Sequence, residues 1–214
     1  MAFKHIVALL VTLAAFTFAP AASAKAEPLQ IVGFGDSLMA GYGLGPGEGF
    51  TDRLQATLRA KGHDVAVVNA GVSGDTTSGG LARLDWSIPD GTRLVILELG
   101  ANDMLRGVDP ALIEQNLDAM LSRLKARGIP VVLAGMVAAP NLGHAYGEQF
   151  GTIYPALAEK YGATLYPFFL DGVAGNGSMQ LDDGMHPNAA GVERMVESFL
   201  PTIEKAIAAL PPAK

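Results

Sequence analysis

Apolar positions along the chain fall into two alternating patterns. Short, nearly continuous apolar runs at residues 29–34, 64–69, 93–99, 130–135 and 163–169 read as strands, the third with Glu98 inside it. Runs of this kind belong to strands buried on both faces. Between them, apolar residues recur at helical spacing. Phe50, Leu54 and Leu58 mark one helix face, closed by Gly62 as a C-terminal cap. Residues 81–86 read as a short helix. Asp109 and Pro110 start a long one: the aspartate caps free amides, and the proline takes the first turn, where no N–H is needed. Its expected buried face is Leu112, Ile113, Leu117, Met120, Leu121 and Leu124, and Gly128 ends it. Phe150, Ile153, Tyr154 and Leu157 mark the next helix, where Pro155 predicts a kink or a late start. Asn188 caps the last, with Val192, Met195, Val196, Phe199, Leu200 and Ile203 facing inward and Pro201 bending it. Strands alternating with helices predict an α/β domain. The expected form is a three-layer αβα sandwich of flavodoxin-like type, with about five parallel strands.

The stretch ahead of the first strand follows another pattern. Lys4 is succeeded by an apolar run over residues 6–18, then by Ala22-Ser23-Ala24. A positive start, a short apolar core and small residues at a cleavage point mark a signal peptide. The run falls short of the ~20 residues that a membrane span needs. The expectation is therefore a signal peptide over residues 1–24, cut after Ala24, and a folded domain over residues 25–214. The mature protein would be periplasmic or secreted, without stable membrane insertion. A chain of 214 residues, 50% hydrophobic and 17% charged, has enough apolar surface for one substantial core. Its net charge of −6 argues against nucleic acid as a partner, since phosphates need a basic surface. The absence of cysteine excludes a disulfide, a thiolate nucleophile and a cysteine-held metal.

Polar clusters follow the strands. Asp36-Ser37 comes after the first, Asn69 to Thr76 after the second, Gly100-Ala101-Asn102-Asp103 after the third, and Asp182 to Asn188 after the fifth. Parallel strands bring all these ends to one edge of the sheet, where open α/β sheets place their ligands. A serine hydroxyl needs a base to act as a nucleophile. His186 lies three residues after Asp183, a spacing that lets a turn join carboxylate to Nδ1–H and leave Nε2 for Ser37. Pro187 restricts the His186 backbone to extended conformations. Asp182 is the rival acid, but lacks the three-residue spacing. Attack by Ser37 creates an oxyanion that needs fixed donors. The Ser37 amide, the Gly74 amide and the Asn102 side chain are the candidates. Asp36 is expected to bond loop amides beside the nucleophile, and His63 and His144 to lie on the surface. Asp182, Asp183 and His186 have the chemistry to hold a divalent ion, but no further histidine lies nearby in sequence. Met39, Met136, Val137 and Leu142 follow strands on the active edge and are candidates either for an acyl or aryl pocket or for simple packing.

Gly35-Asp36-Ser37-Leu38 resembles the nucleophile block of the GDSL, or SGNH, hydrolases. Ser37, Gly74, Asn102 and His186 match the four namesake residues of that family, and Asp183 completes its Asp-x-x-His block. Further blocks are similar to the bacterial thioesterase I, lysophospholipase and arylesterase branch. They include Leu81-Ala82-Arg83-Leu84, Glu98-Leu99-Gly100, Ile153-Tyr154-Pro155 and Tyr166-Pro167-Phe168-Phe169. The resemblance implies a Ser-His-Asp esterase that forms an acyl-enzyme on small-molecule esters or thioesters, without metal or organic cofactor. Two departures stand out. Val137-Ala138-Ala139-Pro140-Asn141 replaces the Arg-Leu-Pro often found in thioesterase members, and Gly100-Ala101-Asn102 replaces the common Gly-Gly-Asn. The variant loop and the exported location favour an arylesterase-like enzyme. Two other readings compete. A non-catalytic binding protein on the same scaffold would need no Asp-x-x-His. A carbohydrate deacetylase would call for sugar-stacking aromatics near the active edge. An α/β-hydrolase is disfavoured, because its Gly-x-Ser-x-Gly elbow is missing around Ser37.

Overall fold

The structure, a computed structural model, describes residues 27–212, so the expected signal peptide lies outside the described residues. Five strands form one sheet: β1 (Leu29–Gly35), β2 (Val65–Gly71), β3 (Leu94–Glu98), β4 (Val131–Ala134) and β5 (Thr164–Tyr166). Their order is β2-β1-β3-β4-β5, and every neighbouring pair is parallel. This is the flavodoxin-like order, in which the chain reverses direction across the sheet next to β1. Every residue of β3 and β4 is buried, as the unbroken apolar runs predict.

Helices cover both faces. On one, α2 (Phe50–Ala60) packs on α7 (Ala189–Ala208); on the other, α3 (Thr77–Ser87) packs on α5 (Pro110–Ala126), and α5 on α6 (His144–Tyr161). Right-handed crossovers put the two groups on opposite faces. Phe199 of α7 meets Phe50, Tyr166 and Phe169 edge to face, and all four rings are buried. Asp109 caps α5 by accepting from the Ala111 N–H, and Asn188 caps α7 by accepting from the Gly191 N–H.

Three details differ from expectation. Helix α6 starts ahead of Phe150 and continues through Pro155. The bond lost to the proline would have ended on the carbonyl of Gly151, an exposed residue where water can take its place. Leu112 is 47% exposed, because the inward stripe of α5 runs through Ile113, Asn116 and Leu117 instead. Two short helices, α1 (Ser37–Ala40) and α4 (Ala101–Leu105), follow β1 and β3 directly. Both are too short for a periodic apolar signal, and both carry candidate site residues. Among the described residues no helix is long and apolar enough to cross a membrane.

Candidate active site

Strand β1 ends at Gly35, where a Cβ would collide with the carboxylate and carbonyl of Glu98. Only glycine lets the two strands run this close at the turn. Asp36 then caps α1: its Oδ1 accepts from the Leu38 N–H at 3.0 Å, and its own N–H donates to Glu98 Oε2 at 3.2 Å. The cap presents Ser37 on the first turn of α1, with Oγ 2.9 Å from His186 Nε2.

His186 comes from the loop between β5 and α7. Its Nδ1 lies 2.6 Å from Asp183 Oδ2, while Asp183 Oδ1 accepts the backbone N–H groups of Met185 at 2.9 Å and His186 at 3.0 Å. These two amides, the His186 one first, and then the imidazole hold the Asp183 carboxyl down at about 2. An ionised Asp183 fixes the ring proton on Nδ1 and leaves the Nε2 lone pair facing Ser37. The His186 carbonyl accepts from Leu181 N–H at 2.8 Å, and Pro187 bridges to Gln180, so the backbone on both sides of the ring is held. Tyr42 covers the imidazole with a centroid separation of 4.5 Å. Asp182 is exposed and makes no hydrogen bond to His186 among the described residues.

Asn102 sits in the first turn of α4. Its Nδ2 donates to Asp36 Oδ2 at 3.0 Å, so the carboxylate beside Ser37 touches the oxyanion candidate directly. The next residue, Asp103, is 2% exposed and accepts from the Thr77 N–H at 2.8 Å and the Thr77 hydroxyl at 2.7 Å. Asn116 donates to the same hydroxyl at 3.0 Å. This buried network ties α4 to α3 and α5. Gly74 occupies the loop after β2 at φ +81°, a left-handed conformation that requires glycine. Its carbonyl accepts from Arg106 at 3.0 Å, which joins the loop to the end of α4. Arg83 anchors the same loop: it pairs with Asp75 at 2.7 Å, donates to the carbonyls of Ala70 and Gly35, and lies over the Phe34 ring.

Two carboxyls lie fully buried under the Ser37 turn. Burial lifts Asp36 to about 6, against the pull of the Leu38 N–H, the Asn102 amide and His186, with Asp75 adding to the rise. Burial, reinforced by the Asp36 charge, holds Glu98 well above the usual carboxylate range. Glu98 Oε1 has no hydrogen-bond partner among the described residues.

Ser37, Asn102 and His186 line one wall of a cavity of about 620 Å³ whose other walls include Met104, Leu105, Met136, Val137, Phe168 and Leu170. Gly74 stands on the adjacent loop and is not among the lining residues. Of the four pocket candidates, Met136 and Val137 line the cavity and Met39 and Leu142 do not. Met39 turns back under β1 against Gly33 and is fully buried, and Leu142 packs on the core from a 3-10 turn. His63 and His144 each face a glutamate, Glu204 and Glu148 respectively, outside the site. Four contributors escaped the sequence reading: Tyr42, the bond between Asp36 and Asn102, the Arg83 clamp and the Asp103–Thr77–Asn116 network. Arg83 and Asp103 stood inside recognised blocks, so their position was visible and their role was not.

The model of the GDSL-like lipase/acylhydrolase family matches residues 34–194. The chain is 43% identical over 182 residues to an arylesterase of Vibrio mimicus, covering 83% of this chain and 88% of that protein. It is 39% identical over 167 residues to thioesterase 1/protease 1/lysophospholipase L1 of Escherichia coli (strain K12), covering 78% of each. The crystal structure of TesA superposes with a TM-score of 0.79 at 42% identity, covering 82% of this chain and 98% of that one.

Proposed function

Because the chain belongs to the GDSL-like lipase/acylhydrolase family, we propose that it works through Ser37 as nucleophile, His186 as general base and acid, and Asp183 as the group that orients the imidazole. It is an esterase, and its substrates are small-molecule esters. The assignment of roles rests on one continuous line of contacts, from Asp183 Oδ2 to His186 Nδ1 at 2.6 Å and from His186 Nε2 to Ser37 Oγ at 2.9 Å.

Nε2 takes the Ser37 proton as Oγ attacks the ester carbonyl. The ionised Asp183 stabilises the imidazolium that forms. The carbonyl oxygen becomes an oxyanion, and the donors for it are the Ser37 N–H, the Gly74 N–H and the Asn102 amide. The imidazolium then gives its proton to the leaving alcohol, and an acyl-enzyme remains on Ser37. Water, deprotonated by His186, hydrolyses that ester and restores the serine. The apolar walls of the cavity favour an aryl or acyl group without charge. An arylesterase-like preference, with thioesters and lysophospholipids as further substrates, fits those walls and the names of the relatives. Lys4, the apolar run and Ala22-Ser23-Ala24 support export to the periplasm or medium with cleavage after Ala24.

Ser37→Ala tests the assignment. It should remove nearly all hydrolysis of a p-nitrophenyl ester while leaving the melting temperature close to wild type. A fluorophosphonate should label wild type at Ser37 and leave the variant unlabelled. Labelling at another serine, or full turnover in Ser37→Ala, would remove Ser37 from the nucleophile's role.

A further inference from the structure

An asparagine amide offers an oxygen on one side and a nitrogen on the other in nearly the same shape. Only the nitrogen side can stabilise an oxyanion; the oxygen side would repel it. What faces Asn102 therefore decides whether it helps or hinders, and what faces it is Asp36. Both Asp36 oxygens are engaged by N–H donors, Oδ1 by Leu38 and Oδ2 by Asn102 Nδ2, each at 3.0 Å. A carboxylate has no hydrogen to give, so it accepts from Asn102 and excludes the flipped amide. The nitrogen carries two hydrogens. Asp36 holds one, and the other is left for a ligand in the cavity that Asn102 lines together with Ser37 and His186.

The carboxylate is itself fixed. Asp36 is fully buried, its N–H donates to Glu98 Oε2, and the Arg83 guanidinium donates to the carbonyl of the preceding Gly35. Asp36 bonds neither Ser37 Oγ nor the imidazole, whose partners are each other and Asp183. It thus has no part in the proton transfer.

We propose that Asp36 is a positioning residue for catalysis: its carboxylate, which can only accept, locks the Asn102 amide with N–H toward the reacting carbonyl. The proposal rests on Asn102 being an oxyanion donor. It goes beyond the ordinary role of an aspartate at a helix start, which is to cap free amides. Asp36→Asn keeps shape and volume but carries a single acceptor oxygen for two facing donors. The Leu38 N–H is backbone and cannot turn, so the oxygen stays on it and the new NH2 faces Asn102 Nδ2; rotation of the Asn102 amide relieves that conflict at the oxyanion's expense.

A double-mutant cycle read in kcat and KM with p-nitrophenyl acetate separates the two roles. Asn102→Ala should lower kcat about a hundredfold or more with KM nearly unchanged. Asp36→Asn should lose a comparable factor, again in kcat alone. The double variant should be no more than about threefold slower than Asn102→Ala, since Asp36 acts through a side chain already gone. Asp36→Ser covers the case in which Asp36→Asn does not fold. Serine caps a helix well but is too short to reach Asn102, so it should be slow with KM unchanged. Wild-type kcat in Asp36→Ser, or losses that multiply in the double variant, would overturn the proposal and leave Asp36 a cap. Wild-type kcat in Asn102→Ala would instead refute the oxyanion reading beneath it.

Discussion

Asp183→Asn is the substitution that most directly tests how the base is oriented. Asp183 accepts three N–H groups with its two oxygens: Nδ1–H of His186 on Oδ2, and the backbone amides of Met185 and His186 on Oδ1. A side-chain amide has one acceptor oxygen. Kept on the two backbone amides, it turns its NH2 toward Nδ1 across a gap that is 2.6 Å in the wild type. Two donors cannot share that gap, so the ring proton moves to Nε2. Nε2–H then donates to Ser37 Oγ and can no longer receive the serine proton. Turned the other way, the amide opposes two backbone donors and opens the turn that presents the imidazole. In serine proteases the wrong tautomer alone costs about ten-thousandfold in turnover. The Asp183 side chain is 32% exposed, so water eases part of the conflict. The expected loss is roughly a thousandfold to ten-thousandfold in kcat with little change in KM. Asp182→Asn, whose side chain has no bond to His186, should stay within about twofold of wild type. Steady-state kinetics on a p-nitrophenyl ester, with melting curves for both variants, make the comparison. Equal losses in the two variants, or an Asp183→Asn enzyme within tenfold of wild type, would refute the orientation argument.

Phe199→Ala removes a ring with 0% exposure that meets three other aromatic rings, and should cost about 3–5 kcal/mol of unfolding free energy in urea melts. A loss under 1 kcal/mol would mean the core is not packed around it. Asp36 should make stability fall with rising pH. Its carboxyl stands at about 6 in the fold against 3.8 for an ordinary aspartate. Between those values the unfolded chain releases the proton first, and above about 6 the full cost of roughly 3 kcal/mol is present. Asp36→Asn, measured against wild type, should therefore gain about that much between pH 4 and pH 7; an offset independent of pH would contradict the shift. Asp183, depressed to about 2, acts in the opposite sense: its contribution is present above the ordinary aspartate range and fades as pH falls through that value. Edman sequencing of exported protein should begin Lys25-Ala26-Glu27, and a mature chain that retains Met1 would exclude cleavage.

The order of strands and helices was legible because each strand is an unbroken apolar run and each long helix carries a stripe. Where the pattern misled, a local feature outweighed it. Pro155 suggests a kink or a late start, yet α6 begins well ahead of it and runs through it at a solvent-facing carbonyl. Leu112 reads as core yet is exposed, and the inward stripe runs instead through Asn116, which is buried with Thr77 as its partner. The five candidate site residues were readable from motif order and from the rule that parallel strands align their ends. What spacing could not reveal is which polar groups bond one another across elements. Asp36 and Asn102 are 66 positions apart, and Arg83 and Gly35 are 48 apart. Contacts of that kind exist only once the sheet is assembled.

Those cross-element bonds divide the site into two halves with different mechanical character. Ser37, Asp36 and Asn102 stand on turns welded to the sheet by buried groups: Glu98 below, Arg83 at the side, and Asp103 with Thr77 and Asn116 behind. His186 and Asp183 stand on a loop held by its own short-range bonds and by Tyr42, which is 52% exposed. The division matches what each half would do in the proposed mechanism. Oxyanion donors work by being fixed before charge develops, and burial makes each donor worth more. The base must pass a proton from serine to leaving group and then serve water, which calls for an accessible ring whose tautomer, rather than whose every coordinate, is fixed. Burying an ionised Asp36 costs stability, and the proton-linked fall in stability above pH 4 is the measurable form of that cost. A fold selected for stability alone would have no use for that charge. On the proposed role, the orientation that this charge imposes on the Asn102 amide is what offsets that cost.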